Sequence, residues 1–169
     1  QLVTRLTLRA TGGSREVLLG PVLPAGFAPI ALDSTLPARV EPDGRVRVQL
    51  RAGVFNIDLV ARAVDGVAQI SRPAAGEPWP LDEIWSFSGN DRLRVAALEG
   101  GESIDPAQAD VPGQWRAHPA VRVLQGAPCR FLVSSHVALN GDDGSHAVPA
   151  SWRRDGPGVV VACRPGSDV

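Results

Sequence analysis

Hydrophobic and polar positions alternate with a period of two through most of this chain, the spacing of strands that turn one face to a core. The clearest stretch is RVRVQLRAGVFNIDLVARAV, residues 45–64. Val46, Val48 and Leu50 share one face, against Arg45, Arg47, Gln49 and Arg51. After Gly53 the alternation resumes, with Phe55, Ile57, Leu59, Ala61 and Ala63 against Asn56, Asp58 and Arg62. Two amphipathic strands joined at a glycine must each bury a face, and a second sheet is the usual partner. Just upstream, EPDG (41–44) separates runs that end at Val40 and begin at Val46. Asp-Gly predicts a hairpin turn there, because glycine tolerates the positive φ such turns need.

The same rhythm continues on both sides. LVTRLTLRA (2–10) places Leu2, Leu6 and Leu8 together, with Val3 breaking the pattern. Residues 14–40 are short apolar pieces punctuated by Gly and Pro, which predict strands and turns. EIWSFSG, RLRVAALEG, CRFLVSSHVAL, HAVPASWRR and GVVVAC predict further strands. The one helical signal is Asp105 before Pro106, an N-cap with proline in the first turn, stopped by Pro112. The expectation is an all-β fold, one or more antiparallel β-sandwiches with at most one short helix near 105–111. The Pro-rich segment 73–80 reads as a linker or a crossover loop. It follows a β-sandwich module over 1–72 and precedes 81–169, either a second β-rich module or a continuation of the same sandwich.

Composition narrows the function more than the fold. With 169 residues, 44% hydrophobic and 21% charged, the chain has the make-up of an ordinary globular protein. A net charge of −1 supplies no global field to draw nucleic acid or an anionic membrane, so no nucleic-acid partner is expected. No apolar run reaches the roughly 18 residues of a membrane span. The chain begins at Gln1 with no visible signal peptide and reads as one piece of a longer protein, whose neighbouring domains would be its partners.

Candidate chemistry is sparse. The polar run SSHVALNGDDGSH (134–146) offers His136, His146 and Asp142 as weak metal candidates, brought together if a hairpin turns at 141–144. Zinc generally wants three or four protein ligands, and a polar hairpin uses these same residue types for its backbone. Ser134 and His136 share a strand face, but no Gly-x-Ser-x-Gly turn presents a nucleophile. Asp82 and Glu83 are neighbours on a strand, splay apart, and read as surface charge. Arg45, Arg47 and Arg51, extended by Arg39, form a basic stripe without stacking aromatics, which reads as a solvated sheet face. Cys129 and Cys163 both fall on predicted inward faces, where they form either a strand-to-strand disulfide or two buried thiols. Among the tryptophans, Trp85 alternates with Phe87 and reads as core. Trp79, between two prolines, and Trp115, in GQWRAHP, read as exposed indoles able to stack on a sugar or anchor a neighbouring domain.

GRVRVQLRAGVFNIDLVARA (44–63) resembles the strand–Gly–strand pattern of carboxypeptidase-regulatory-like and other prealbumin-like sandwich modules, with Phe55 where those modules often carry Tyr or Trp. EIWSFSGNDRLRVAALEG and IDPAQADVPGQWRAHPA resemble the N-terminal β-rich regions of very long proteobacterial envelope proteins. The resemblance implies a periplasmic or extracellular, non-enzymatic β-sandwich with a structural or protein-interaction role and no cofactor. The alternatives are a carbohydrate-binding module built on Trp79 and Trp115 and, more distantly, a metal-dependent hydrolase built on the His136–His146 hairpin.

Overall fold

The computed structural model describes residues 1–64, 69–72, 79–88, 94–125, 130–135 and 159–168, and among them the fold is all-β. The strands are β1 (Leu2–Ala10), β2 (Arg15–Pro21), β3 (Phe27–Ser34), β4 (Ala38–Val40), β5 (Arg45–Leu50), β6 (Gly53–Ala63) and β7 (Gln69–Ser71). They continue as β8 (Asp82–Ser88), β9 (Arg94–Glu99), β10 (Glu102–Ile104), β11 (Ala120–Leu124), β12 (Arg130–Ser135) and β13 (Val159–Asp168). A seven-stranded sheet runs β10-β11-β8-β13-β1-β6-β3, and two three-stranded sheets run β2-β5-β4 and β7-β12-β9.

The large sheet is mixed, not antiparallel throughout. β13 lies parallel to β1, with Leu2 beside Val160 and Arg5 beside Cys163, and antiparallel to β8. A parallel neighbour cannot be reached by a tight hairpin and needs a long return of the chain. Here that return spans everything between β1 and β13. As a result β1, β3 and β6, which precede the Pro-rich segment, share one sheet with β8, β10, β11 and β13, which follow it.

The main core lies between the large sheet and β2-β5-β4. Leu6, Leu8 and Ala10 of β1 and Ile57 and Leu59 of β6 meet Leu19 of β2 and Val46, Val48 and Leu50 of β5. The alternating segment 45–64 therefore does not form one hairpin within a sheet. β5 pairs with β2 and β4, while β6 pairs with β1 and β3. The chain turns this corner at Gly53, whose φ of 142° lies where side chains are disfavoured. A Cβ there would also stand 2.9 Å from the Phe55 ring. The Asp-Gly hairpin between β4 and β5 forms as the sequence predicts, with Gly44 at φ 81° and its N–H donating to the Glu41 carbonyl.

Two smaller clusters cover the far half of the large sheet. Trp85, Val121 and Val123 pack with Ile70 of β7, and Ile84 and Ala120, one residue along and so on the opposite face, pack with Ala109, Val111 and Trp115. Val3 packs against this last cluster, which explains why the alternation of β1 breaks there. The helical signal at Asp105 yields a capped turn: its carbonyl accepts from Gln108 and Ala109 N–H, and its Oδ1 from Ala107 N–H. The short 3₁₀ helix among the described residues lies later, at Gly113–Trp115.

Candidate functional site

Among the described residues, a network of paired charges sits on the outer face of the β2-β5-β4 sheet. Strand parity sends Val46, Val48 and Leu50 inward, which leaves Arg47 and Gln49 outside beside Glu16 of β2 and Arg39 of β4. Arg47 Nη1 lies 2.5 Å from Glu16 Oε1, and its Nε donates to Glu41. Arg39 Nε donates to the same Glu41 oxygen at 3.0 Å, and Gln49 Nε2 donates to Glu16 Oε2 at 2.7 Å. Glu16, Arg39, Arg47 and Gln49 line an open depression of about 240 Å³. The basic stripe seen in the sequence is thus divided. Arg47 is held between two carboxylates, Arg45 donates to the Leu19 carbonyl, and Arg51 lies over the Phe55 ring, 5.6 Å from its centre.

The hydrogen bonds from Arg47 and then Arg39 hold the Glu41 carboxyl below its ordinary 4.5, and Glu41 and Glu16 hold Arg47 above its ordinary value. A carboxyl lowered by folding contributes stability that is present above pH 4.5 and disappears as pH falls through its folded value. Glu41→Gln is therefore expected to lower stability modestly at neutral pH and to converge on the parent protein in acid. Urea unfolding at about pH 7 and about pH 3 tests this, and an equal gap at both would remove the ion pairs as its cause.

A second charged group is wholly internal. Glu83 is buried, although its place in the sequence reads as surface charge. Its Oε1 lies 3.0 Å from Arg72 Nε, and its Oε2 accepts from Trp85 Nε1 at 2.9 Å. The rest of the guanidinium reaches the carbonyls of Leu81 and Pro80, each at 2.7 Å, and Val123 at 3.2 Å. The corrected placement has a plain cause: Glu83 shares strand parity with Trp85 and Phe87, and that face is met by Ile70 of β7 and by Arg72. A carboxylate in phase with two inward aromatics was the available signal. Its neighbour Asp82 points the other way, half-exposed, 3.5 Å from Arg122.

The tryptophans also differ from expectation. Trp79 and Trp115 are only 7% and 8% exposed and present no open indole face. Trp79 joins the main core and closes over Gly20, where a Cβ would meet its Nε1 at 2.6 Å. Trp115 packs beneath Ile84 and Ala120, its ring 5.5 Å from that of His118. Trp85 is core, as its alternation with Phe87 predicts. Cys163 occupies β13 beside Arg5 and Ile84, whereas Cys129, His136, Asp142 and His146 lie outside the described residues. On the outer face of the large sheet, Arg5 and Asp58 form a two-point ion pair at 2.7 and 2.5 Å, the cross-strand partners that their register dictates. No family model matches the chain, nor does any curated protein or solved structure, so its function has to be read from its own residues.

Proposed function

We propose that this chain is a non-enzymatic β-sandwich module of an exported bacterial protein, with a structural or protein–protein interaction role. The observation that carries the reading is how its polar and aromatic side chains are used. The Arg72–Glu83–Trp85 group and the indoles of Trp79 and Trp115 are spent on joining one layer to another. The outer charges pair across strands in the same way. The similarity of residues 44–63 to prealbumin-like modules, which serve as spacers and docking units, supports the reading further.

Its partners are neighbouring domains of a longer parent chain. Leu81 and Leu124, 74% and 53% exposed at adjoining ends of β8 and β11, are the expected points of contact. Amide exchange of the module alone and joined to its flanking sequence tests this, with slowed exchange around Leu81 and Leu124 as the expected result. Unchanged exchange there would reject the contact. A saturable tryptophan-fluorescence change with any member of an oligosaccharide panel would replace the whole reading with the carbohydrate-binding alternative.

A further inference from the structure

One end of the main sandwich brings exposed arginines and an exposed aliphatic residue together. The register sets Arg9 opposite Val54 and Ala10 opposite Gly53, while Arg15 stands opposite Leu50. The turn after β1 and the corner after β5 are therefore side by side. Residues 11–16 and 51–54 are all exposed, as is Arg9. The two segments, RATGGSR (9–15) and LRAGVF (50–55), hold three arginines and no carboxylate in a chain whose net charge is −1. Glu16, the next residue, is turned to the outer sheet face by Arg47 and Gln49, and the register sets Asp168 of β13 opposite Arg9.

The apolar content of this end is equally specific. Ala52, Gly53 and Val54 are consecutive and exposed, with Val54 at 64%. Phe55 is half-buried against the core, with the Arg51 guanidinium over its ring. Arg15 is steadied by its bonds to the Thr11 and Gly13 carbonyls. The result is a small aliphatic tip flanked by arginines held close to the fold.

We propose that this end docks on an anionic lipid surface, Arg9, Arg15 and Arg51 meeting headgroup phosphates and carboxylates while Val54 enters the interfacial layer. Guanidinium groups match phosphate oxygens in paired hydrogen bonds, and an aliphatic tip gains by leaving water for the acyl boundary. Nucleic acid fits less well, because single-stranded binders offer aromatic faces to bases and the Phe55 ring is already covered by Arg51. The attraction is local, so the near-neutral total charge does not oppose it beyond a Debye length.

Flotation with phosphatidylcholine vesicles carrying graded phosphatidylserine tests the proposal. The bound fraction is expected to rise with phosphatidylserine and fall with added salt. Partitioning should drop on the order of tenfold or more in Arg9→Gln/Arg51→Gln, since each basic group near such a surface contributes several-fold. Arg9→Lys/Arg51→Lys should retain most binding, and Val54→Ser should weaken it at constant charge. All three positions are exposed, and an unchanged thermal melt confirms that the variants are folded. Equal flotation on neutral vesicles, no flotation at any phosphatidylserine content, or indifference to the glutamine pair would overturn the proposal. So would tight binding to inorganic polyphosphate with no effect of Val54→Ser, which would mark the end as a soluble-polyanion site.

Discussion

Glu83→Ala is expected to destabilise the protein by about 3–5 kcal/mol, the usual consequence of removing one partner from a buried ion pair. The carboxylate is fully buried, and its partner Arg72 has a side chain only 5% exposed. Without Glu83 the guanidinium keeps its charge but retains only the carbonyls of Pro80, Leu81 and Val123 as partners, and Trp85 Nε1 loses its acceptor. Replacing both charges, as in Arg72→Met/Glu83→Leu, should recover part of the loss, because two apolar groups leave no isolated charge behind. Recovery should be incomplete, since three carbonyls then lose a donor. The adjacent Asp82→Ala is an internal control. Its ion pair with Arg122 is long and half-exposed, so a change within about 0.5 kcal/mol is expected. Urea unfolding of the four proteins decides the matter. A cost below about 1 kcal/mol for Glu83→Ala would be incompatible with a desolvated pair.

Trp79→Ala should cost a similar amount, about 3–5 kcal/mol, through lost burial and the cavity left in the main core. Its contact with Gly20 makes the prediction sharper. In the parent protein Gly20→Ala sets a Cβ 2.6 Å from the indole nitrogen, so the ring must move, at a cost of about 1–3 kcal/mol. In the Trp79→Ala background that obstacle is gone, and the same Gly20→Ala change should be nearly neutral. The double-mutant cycle measures the difference directly. Independent, additive effects would show that Trp79 does not close over β2.

These two groups also mark where sequence reasoning stopped. Alternation correctly assigned the inward faces of β5 and β6 and placed Trp85 in the core, because a strand's side chains change face at every residue whatever lies beyond it. Asp43-Gly44 likewise encoded its own hairpin through backbone preference. The burial of Trp79 escapes the pattern because a residue between prolines has no periodicity to read, and it depends on the core that the ring closes over. Glu83 follows strand parity with Trp85 against the usual preference of its charge for water. Only a cation from another part of the chain, Arg72, makes a carboxylate tolerable on that face.

By itself, then, the sequence determined the β class, the position of most strands, the Asp-Gly hairpin and which face of each clear strand turns inward. All of these follow from local dihedral preference and a two-residue period. Tertiary structure alone decided that β5 and β6 belong to different sheets, that β13 enters between β1 and β8, and that Trp79, Trp115 and Glu83 are enclosed. Periodicity states that a face must be covered. What covers it is settled by residues far along the chain, through packing and charge pairing that no local pattern records.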